Sequence, residues 1–336
     1  MTGTGSTLPG TGGVLAAGGR GGTGGASSTG GVTATTGILH AVREFSLSYP
    51  SEPATIASGP DGNLWFTDPG SSKIGTITTA GSFTEFDLPT PACNPYRIAQ
   101  GPDGNLWFTE QGGRKIGRIT PAGNTTEFAA PGGLTYGIAA GSDGNMWFTE
   151  SSVNKIGCIT PAGAISEFPI PTANSGAQEI AAGPDGNLWF TETAGGKIGR
   201  ITPAGTVTEF PLPNPTASGP SGITAGPGGN LWYADSNGNK IGRITPTGTI
   251  TEFPLPTPDS FPGYIAVGPD DNLWFTEFRI GAYYPPIGRI TPGGALTEFS
   301  VSVTTSAASL DSLVAGPDGN LWAADSTGRG IVRITP

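Results

Sequence analysis

Residues 96–128 contain the unit that decides the fold, with three phrases that recur along the chain: GPDGNLWFTE at 101–110, KIGRIT at 115–120 and TEF at 126–128. Pro and Gly between the apolar segments supply the fixed and the positive φ angles of tight turns. The unit therefore predicts four antiparallel strands, a to d in chain order, at Tyr96–Gln100, Asn105–Glu110, Lys115–Thr120 and Thr125–Phe128.

Seven tryptophans mark the repetition of this unit: Trp65, Trp107, Trp147, Trp189, Trp232, Trp274 and Trp322. Their spacings are 42, 40, 42, 43, 42 and 48 residues, and one blade of a β-propeller takes about 40 to 45. Strand b is almost wholly apolar, which suits a sheet that is covered on both faces. The sequence predicts an all-β, seven-bladed β-propeller of four-stranded antiparallel blades.

The two ends of the repeat region share one blade. The last unit stops after its strand c, Ile331–Thr335, whereas Val42–Leu47 reads as a strand d without the three strands before it. We expect this N-terminal strand to complete blade 7, which closes the ring and removes open sheet edges. Residues 1–37, nearly all Gly, Thr, Ser and Ala, are predicted to be a disordered tether, and residues 38–336 the propeller.

The composition of the chain limits the kinds of partner that it can bind. The net charge of -10 and pI near 4.5 disfavour nucleic acid, and no apolar run is long enough to insert into a membrane. Cys93 and Cys158 lie in different repeats and predict neither a disulfide framework nor a zinc site. We expect a monomer. The tether resembles segments of bacterial surface proteins, which favours a secreted or cell-surface location and leaves a cytoplasmic one open.

The repeat resembles that of virginiamycin B lyase and its relatives, the streptogramin lyases, over roughly residues 41–336. The phrases GPDGNLWFTE, KIGRIT and TEFPLP carry the resemblance. It implies a seven-bladed propeller that opens a cyclic depsipeptide antibiotic by elimination across its ester. It also implies magnesium as the cofactor.

The resemblance further implies two histidines in Pro-His-x-Ile contexts at the start of strand a in blades 6 and 7. This chain reads Pro262-Gly263-Tyr264-Ile265 and Asp311-Ser312-Leu313-Val314 there, which places Gly263 and Ser312 at the histidine positions. Two metal-associated glutamates of the family correspond to Leu310 and to Asp325 or Ser326. Asp325 is thus the candidate metal ligand.

Elimination needs a base with a pKa near neutrality, for which histidine is the usual choice. The one histidine of the chain, His40, precedes the outer strand of blade 7, and we expect it to be a solvated residue far from the axis. Glu179 and Tyr264 are the candidate catalytic groups in its place.

An acidic residue follows every tryptophan by three positions: Asp68, Glu110, Glu150, Glu192, Asp235, Glu277 and Asp325. Such a ring of carboxylates suits a metal or acid–base site. Its sevenfold repetition favours a structural role instead, in which each acid pairs with the cation that opens strand c: Lys73, Lys115, Lys155, Lys197, Lys240 or Arg329. Blade 6 lacks that cation, so we expect Glu277 to be unpaired.

The residues that open strand a differ between blades. Residues that the fold requires must recur in every blade, whereas residues that bind a ligand need not. The candidate ligand-binding residues among them are Tyr96, Arg97, Tyr136, Gln178, Glu179 and Tyr264. Aromatic groups with one charge of each sign suit a small peptide-like or carbohydrate ligand; the alternative is the polar lining of a water-filled channel. The blade 6 insertion, residues 278–286, adds Tyr283 and Tyr284, since loops on a rigid scaffold often carry recognition. A loop without a ligand is the alternative.

Two functions remain. The missing histidines favour a ligand-binding or interaction scaffold that resembles virginiamycin B lyase and has no streptogramin lyase activity. The alternative is a magnesium-dependent carbon–oxygen lyase that opens a cyclic depsipeptide of the streptogramin B type, or a related ester or glycoside. Its base would be Glu179, Tyr264 or Asp325.

Overall fold

Seven antiparallel sheets, one for each repeat, form a ring of blades in this computed structural model, which describes residues 36–39, 42–48, 51–303 and 309–336. Strand a of each blade is innermost, and the seven inner strands contact one another in turn, with blade 7 returning to blade 1. The predicted seven-bladed propeller is confirmed. Among the described residues, no helix is long and apolar enough to cross a membrane.

The first five blades each contain strands a to d in chain order. Blade 1 consists of β3 (Ile56–Ser58), β4 (Leu64–Asp68), β5 (Lys73–Ile77) and β6 (Phe83–Asp87). Blade 2 consists of β7 (Pro95–Gln100), β8 (Leu106–Glu110), β9 (Lys115–Ile119) and β10 (Thr125–Ala129). Blade 3 consists of β11 (Thr135–Ala140), β12 (Met146–Glu150), β13 (Lys155–Ile159) and β14 (Ile165–Pro169), with a 3₁₀ turn at Ser151–Val153. Blade 4 consists of β15 (Ala177–Ala182), β16 (Leu188–Glu192), β17 (Lys197–Ile201) and β18 (Val207–Pro211). Blade 5 consists of β19 (Pro220–Gly226), β20 (Asn230–Asp235), β21 (Lys240–Ile244) and β22 (Ile250–Pro254).

The last two blades include the N-terminal strands. Blade 6 consists of β23 (Pro262–Val267), β24 (Leu273–Glu277), β25 (Pro286–Ile290), β26 (Leu296–Val301) and the added β1 (Thr36–Leu39). Blade 7 consists of β27 (Leu310–Ala315), β28 (Leu321–Asp325), β29 (Gly330–Ile334) and β2 (Val42–Ser46).

The ring closes as the split repeat predicts. β2 pairs antiparallel with β29, with Phe45 opposite Ile331, and so supplies strand d of blade 7. The sequence did not predict β1, which pairs parallel with β26 at the outer edge of blade 6, with Thr36 opposite Glu298. The remainder of the predicted tether, residues 1–35, and His40 lie outside the described residues.

Each tryptophan packs on the next blade around the ring. Trp107 of blade 2 is fully buried and clusters with Met146 and Phe148 of blade 3, while its indole nitrogen donates a hydrogen bond to Asp103 at 3.0 Å. The other six tryptophans also cluster with the following blade. Trp322 therefore joins blade 7 to blade 1 by the same contact that joins the others. A buried indole removes about 150–250 Å² from water, which makes these contacts a large part of the apolar burial.

Blade 7 differs from the other blades in one pair of facing residues on strands b and c. In blade 2, Phe108 lies opposite Gly117, and a Cβ on Gly117 would come within 2.1 Å of the phenyl ring. Blades 1, 3, 4, 5 and 6 repeat this pairing of an aromatic residue with glycine. In blade 7, Ala323 lies opposite Val332. The smaller Ala323 in place of an aromatic residue and the larger Val332 in place of glycine keep the total side-chain volume of the pair roughly constant.

We expect Ala323→Phe to lower the free energy of unfolding by about 1–3 kcal/mol, because the phenyl ring would overlap Val332. Ala323→Phe/Val332→Gly recreates the pair of the other blades and should recover most of that loss. Urea denaturation of both variants measures this. A double variant that is no more stable than Ala323→Phe would contradict the exchange.

Candidate functional site

Six side chains at the start of the inner strands meet at the ring axis. We call them the axial cluster: Thr55, Tyr96, Arg97, Tyr136, Glu179 and Tyr264. The Arg97 side chain, 13% exposed, crosses from blade 2 and donates a hydrogen bond through Nε to the Glu179 carboxylate of blade 4. Its Nη1 donates to the Thr55 hydroxyl at 3.1 Å. The guanidinium carbon lies 5.4 Å from the ring centroid of Tyr264. The axial cluster therefore places the paired charges of Arg97 and Glu179 on the ring axis.

The tyrosines complete the cluster. The hydroxyls of Tyr96 and Tyr136 are 3.1 Å apart and their rings meet edge to face at 4.7 Å. The guanidinium of Arg97 lies 4.6 Å from the ring centroid of Tyr96, a cation–π distance. Burial, followed by the charge of Glu179, raises the pKa of Tyr264, so this phenol stays protonated at neutral pH.

The structure thus brings together five of the residues that the sequence nominated: Tyr96, Arg97, Tyr136, Glu179 and Tyr264. The other three lie apart. The Gln178 carbonyl accepts a hydrogen bond from Thr149 at 2.6 Å, while its side chain is half-buried. Tyr284 packs on the core between blades 6 and 7, and Tyr283 is 67% exposed in the blade 6 loop.

Among the cavities on the face where the inner strands begin, which we call the mouth face, two have contrasting linings. One, of about 300 Å³, is lined by Glu52, Ala54, Pro69, Tyr96, Arg97, Asp311 and Ser326. The other, of about 260 Å³, lies between the blade 6 loop and blade 7, with Phe278, Ile280, Ser309 and Thr327 among its lining residues. Residues of blade 7 border both cavities, so the mouth face offers a polar and an apolar compartment side by side.

The strand register corrects the sequence match in blade 7. Leu313 lies opposite Ala323, as Ile98 lies opposite Phe108 in blade 2. Leu313 is therefore the repeating apolar residue, and the sequence match, which gave that place to Val314, was one residue out. The position equivalent to Gly263 of blade 6 is Asp311 rather than Ser312.

Three blade 7 assignments change with this register. Ser312 is fully buried and its hydroxyl accepts a hydrogen bond from the backbone of Ile56 at 3.1 Å, so it joins blade 7 to blade 1. Asp311 takes its place at the family's histidine position and lines the mouth. The glutamate position two residues earlier falls on Ser309 rather than on Leu310.

Asp311 is the acidic group that sequence reasoning missed. Its Oδ1 accepts a hydrogen bond from the Ser309 hydroxyl at 3.1 Å. Burial raises the pKa of Asp311, while hydrogen bonding from Ser326 and Ser309 and the charge of Arg97 act in the opposite direction. Shifting the alignment of blade 7 by one residue against the other blades would have placed Asp311 at this position.

The side chains at the family's metal positions do not suit magnesium. Mg²⁺ prefers carboxylate oxygens, whereas Ser309 and Ser326 supply none and the carboxylates of Asp311 and Asp325 already accept hydrogen bonds from the protein. Asp325 Oδ1 accepts hydrogen bonds from the Ser309 and Gly328 amides at 3.2 and 2.7 Å, and from the Thr327 hydroxyl at 3.2 Å, and so shapes the neighbouring loops. In the described part of the chain, no group of three or more His, Cys, Asp or Glu side chains could hold a metal.

The acids that follow the tryptophans are buried, and their predicted pairing with the strand c lysines is wrong. Lys115 lies opposite Glu110 in register, but its ammonium bonds to Glu127 of strand d at 2.5 Å. The lysines of blades 1, 3, 4 and 5 also pair with a strand d glutamate. Glu110 is fully buried, and drawing an ammonium in beside it would cost the ammonium its hydration.

Glu277 is the exception, and the prediction that it is unpaired is wrong as well. Arg279, from the blade 6 insertion, bonds to Glu277 and lies 2.9 Å from Glu298 of strand d. The insertion therefore supplies the cation that strand c of this blade lacks. Arg279 therefore borders the cavity beside the blade 6 loop as part of an ion pair with Glu277.

The structure defines a seven-bladed β-propeller whose variable residues lie where the inner strands begin. The model of the Virginiamycin B lyase family matches residues 25–219 and 134–336. The chain belongs to this family.

Solved structures of the family superpose on most of the chain. A streptogramin B lyase structure is 39% identical with a TM-score of 0.81, and the match covers 87% of this chain and 96% of that one. A catalytically inactive histidine-to-alanine variant of virginiamycin B lyase from Staphylococcus aureus, with quinupristin, is 38% identical with a TM-score of 0.81, covering 88% and 99%. Hydrazine synthase from Kuenenia stuttgartiensis, 16% identical with a TM-score of 0.70 and covering 86% and 97%, shares the fold alone. No curated protein sequence matches.

We expect Glu110→Gln to make the protein more stable above pH 7. Burial, and then the charge of Glu127, raise the pKa of Glu110 from 4.5 to about 7. The folded chain keeps this proton longer than the unfolded chain does, so the free energy of unfolding falls as pH rises from about 4.5 to about 7. Glutamine removes that fall and should add on the order of 1–3 kcal/mol at pH 8, with little change at pH 4.5.

Urea denaturation at both pH values measures this difference. Glu85→Gln is the matched control, because the Glu85 side chain is 29% exposed on an outer strand. An equal effect of the two substitutions at pH 8 would contradict the assignment.

We expect the Arg97–Glu179 pair to behave as a unit. Arg97→Met leaves a largely buried carboxylate without its cation and should cost about 3 kcal/mol of stability, and Glu179→Leu a similar amount. Arg97→Met/Glu179→Leu removes both charges and should cost clearly less than the sum of the single changes. A double-mutant cycle by chemical denaturation tests this, and strictly additive losses would show that the two charges are independent.

Proposed function

We propose that the protein is a ligand-binding propeller of the virginiamycin B lyase family that holds a small peptide-like molecule at its mouth without opening it. The observation that carries this proposal is the identity of two residues. Gly263 and Asp311 occupy the positions of the family's histidines, and the chain contains no histidine other than His40.

The chemistry of the mouth supports a peptide-like ligand. Glu179 pairs with Arg97, and Asp311 and Glu52 are the acidic residues that border the polar mouth cavity. Carboxylates accept hydrogen bonds from amide N–H groups. Phe278 and Ile280, 60% and 86% exposed, offer contacts to apolar side chains in the adjoining cavity. Amide donors beside apolar side chains are what a small cyclic peptide presents.

A second function, that of a carbon–oxygen lyase, is favoured by Asp311. A carboxylate at a histidine position, with a pKa that burial raises, approaches the properties of a general base. The bases that the sequence nominated are less suited: Glu179 is bound to Arg97, and Tyr264 holds its proton.

One experiment separates the two functions. The purified protein is incubated with quinupristin and Mg²⁺, and binding is followed by calorimetry. The product is analysed by liquid chromatography with tandem mass spectrometry, which distinguishes the linear isomer from the intact ring of the same mass. We expect saturable binding, at least tenfold weaker in Asp311→Asn, and an intact ring. Ring opening without gain of water, abolished in Asp311→Asn, would establish the lyase instead, and the absence of any binding would refute the proposed ligand class.

We further expect that restoring the family's four residues creates lyase activity. The variant is Gly263→His/Ser309→Glu/Asp311→His/Ser326→Glu. A Cβ at Gly263 meets only the Thr276 hydroxyl, at 3.2 Å, so a side chain there has room. With Mg²⁺, this variant should linearise quinupristin with no change in mass.

The matched control places the second histidine where the sequence alone put it, with Ser312→His in place of Asp311→His. Because Ser312 is fully buried between blades 7 and 1, this control should show no turnover. Turnover in the control and none in the test variant would overturn the corrected register.

A further inference from the structure

A cavity of about 480 Å³ runs along the ring axis on the far side of the axial cluster from the mouth. Its lining includes Ala140, Ala182, Val267 and Ala315, which are the last residues of the inner strands of blades 3, 4, 6 and 7. It therefore opens on the face opposite the mouth. We call it the axial channel. Its volume is within the range of about 300–1,000 Å³ that holds small ligands.

The walls of the channel are apolar and uneven. The position that faces the tryptophan holds alanine in five blades, such as Ala99 opposite Trp107, and Thr224 or Val314 in blades 5 and 7. This feature recurs and belongs to the scaffold. The next position of strand a does not recur: it is alanine or valine at the channel in blades 3 to 7, whereas Ser58 and Gln100 of blades 1 and 2 are outside the lining. Blades 2 to 7 therefore contribute apolar side chains to the wall, and blade 1 contributes Thr55 alone.

The closed end of the channel is polar and carries no net charge. Thr55, Arg97, Glu179 and Tyr264 line it, and the Arg97–Glu179 pair cancels its own charge. Arg97 has five N–H donors, of which Nε and Nη1 serve Glu179 and Thr55. A ligand that fits this end has a hydrogen-bonding group and no formal charge. A charged ligand would be attracted by one member of the Arg97–Glu179 pair and repelled by the other.

The backbone adds polar groups along the sides. Strand a is the inner edge of each sheet, and no further strand pairs with it. Some of its backbone groups bond to side chains of neighbouring blades, as the Ala315 carbonyl accepts a hydrogen bond from the Ser58 hydroxyl at 2.9 Å. Those without such a partner can bond to water or to a ligand. A mostly apolar space with a few convergent polar groups is the usual form of a small-molecule site.

We propose that the axial channel is a second binding site, separate from the mouth, for a small neutral molecule with an apolar body and one polar group directed at the axial cluster. The Arg97–Glu179 pair separates the two sites, so each fills independently. This proposal does not depend on the ligand of the mouth.

The test uses Prodan, a neutral naphthalene dye with one carbonyl whose emission shifts to the blue when it leaves water. Titration of the full chain should give saturable, one-to-one binding with blue-shifted emission. Ala182→Phe and Ala140→Phe each place a phenyl group in the channel and should weaken binding at least tenfold. Ala182 is exposed at the end of its strand, so its replacement displaces no packed neighbour.

Ala129→Phe is the matched control, since it makes the same change at an exposed residue of an outer strand and should alter the dissociation constant less than twofold. Asp311→Asn, at the mouth, should also leave Prodan binding unchanged. Near-ultraviolet circular dichroism verifies that each variant keeps its tryptophan packing.

Three results would overturn the proposal. They are unsaturable binding, binding that both channel-filling variants retain, and competition of quinupristin with Prodan. The last would place the dye at the mouth.

Discussion

The contact of each tryptophan with the following blade is the interaction on which the rest of the structure depends. Trp107 packs on Met146 and Phe148 of the next sheet, stacks on Phe128 of its own blade at 5.6 Å and bonds to Asp103. Seven such contacts close a circle, so each blade is supported from both sides. The residue opposite the indole in strand a is alanine in most blades, as Ala99 is opposite Trp107.

The blades share most of their sequence, and they differ mainly in the residues that open strand a and in the loops. The residues that open strand a precede the position that faces the tryptophan, and there blades 1, 2, 3, 4 and 6 contribute side chains to the axial cluster. The buried Arg97–Glu179 pair divides the axis into a mouth and a channel. The axis of this family fold thereby contains two differently lined spaces, and Gly263 and Asp311 stand where the family resemblance implies histidines.

Much of the fold could be predicted because the repeat samples one pattern seven times. The bounds of the blade 2 strands agree with the sequence prediction within one residue, and the shared blade follows from the missing strand d after Thr335. The errors have physical causes. Lys115 bonds to Glu127 rather than Glu110 because the burial of a side chain, which a residue pattern does not reveal, decides its partner. The blade 7 register slipped by one residue because Leu313 and Val314 are both apolar and either fits the repeat.

The sequence by itself determined the number of blades, their strands and the closure of the ring, since hydrophobic periodicity and turn residues are local properties of the chain. Only the tertiary structure decided which side chains meet. Arg97 and Glu179 are 82 positions apart, and their pairing depends on the geometry of a closed ring that brings alternate blades within reach across the axis. The same geometry places Asp311 at the mouth and Ser312 between blades, because one step along a strand turns a side chain to its other face.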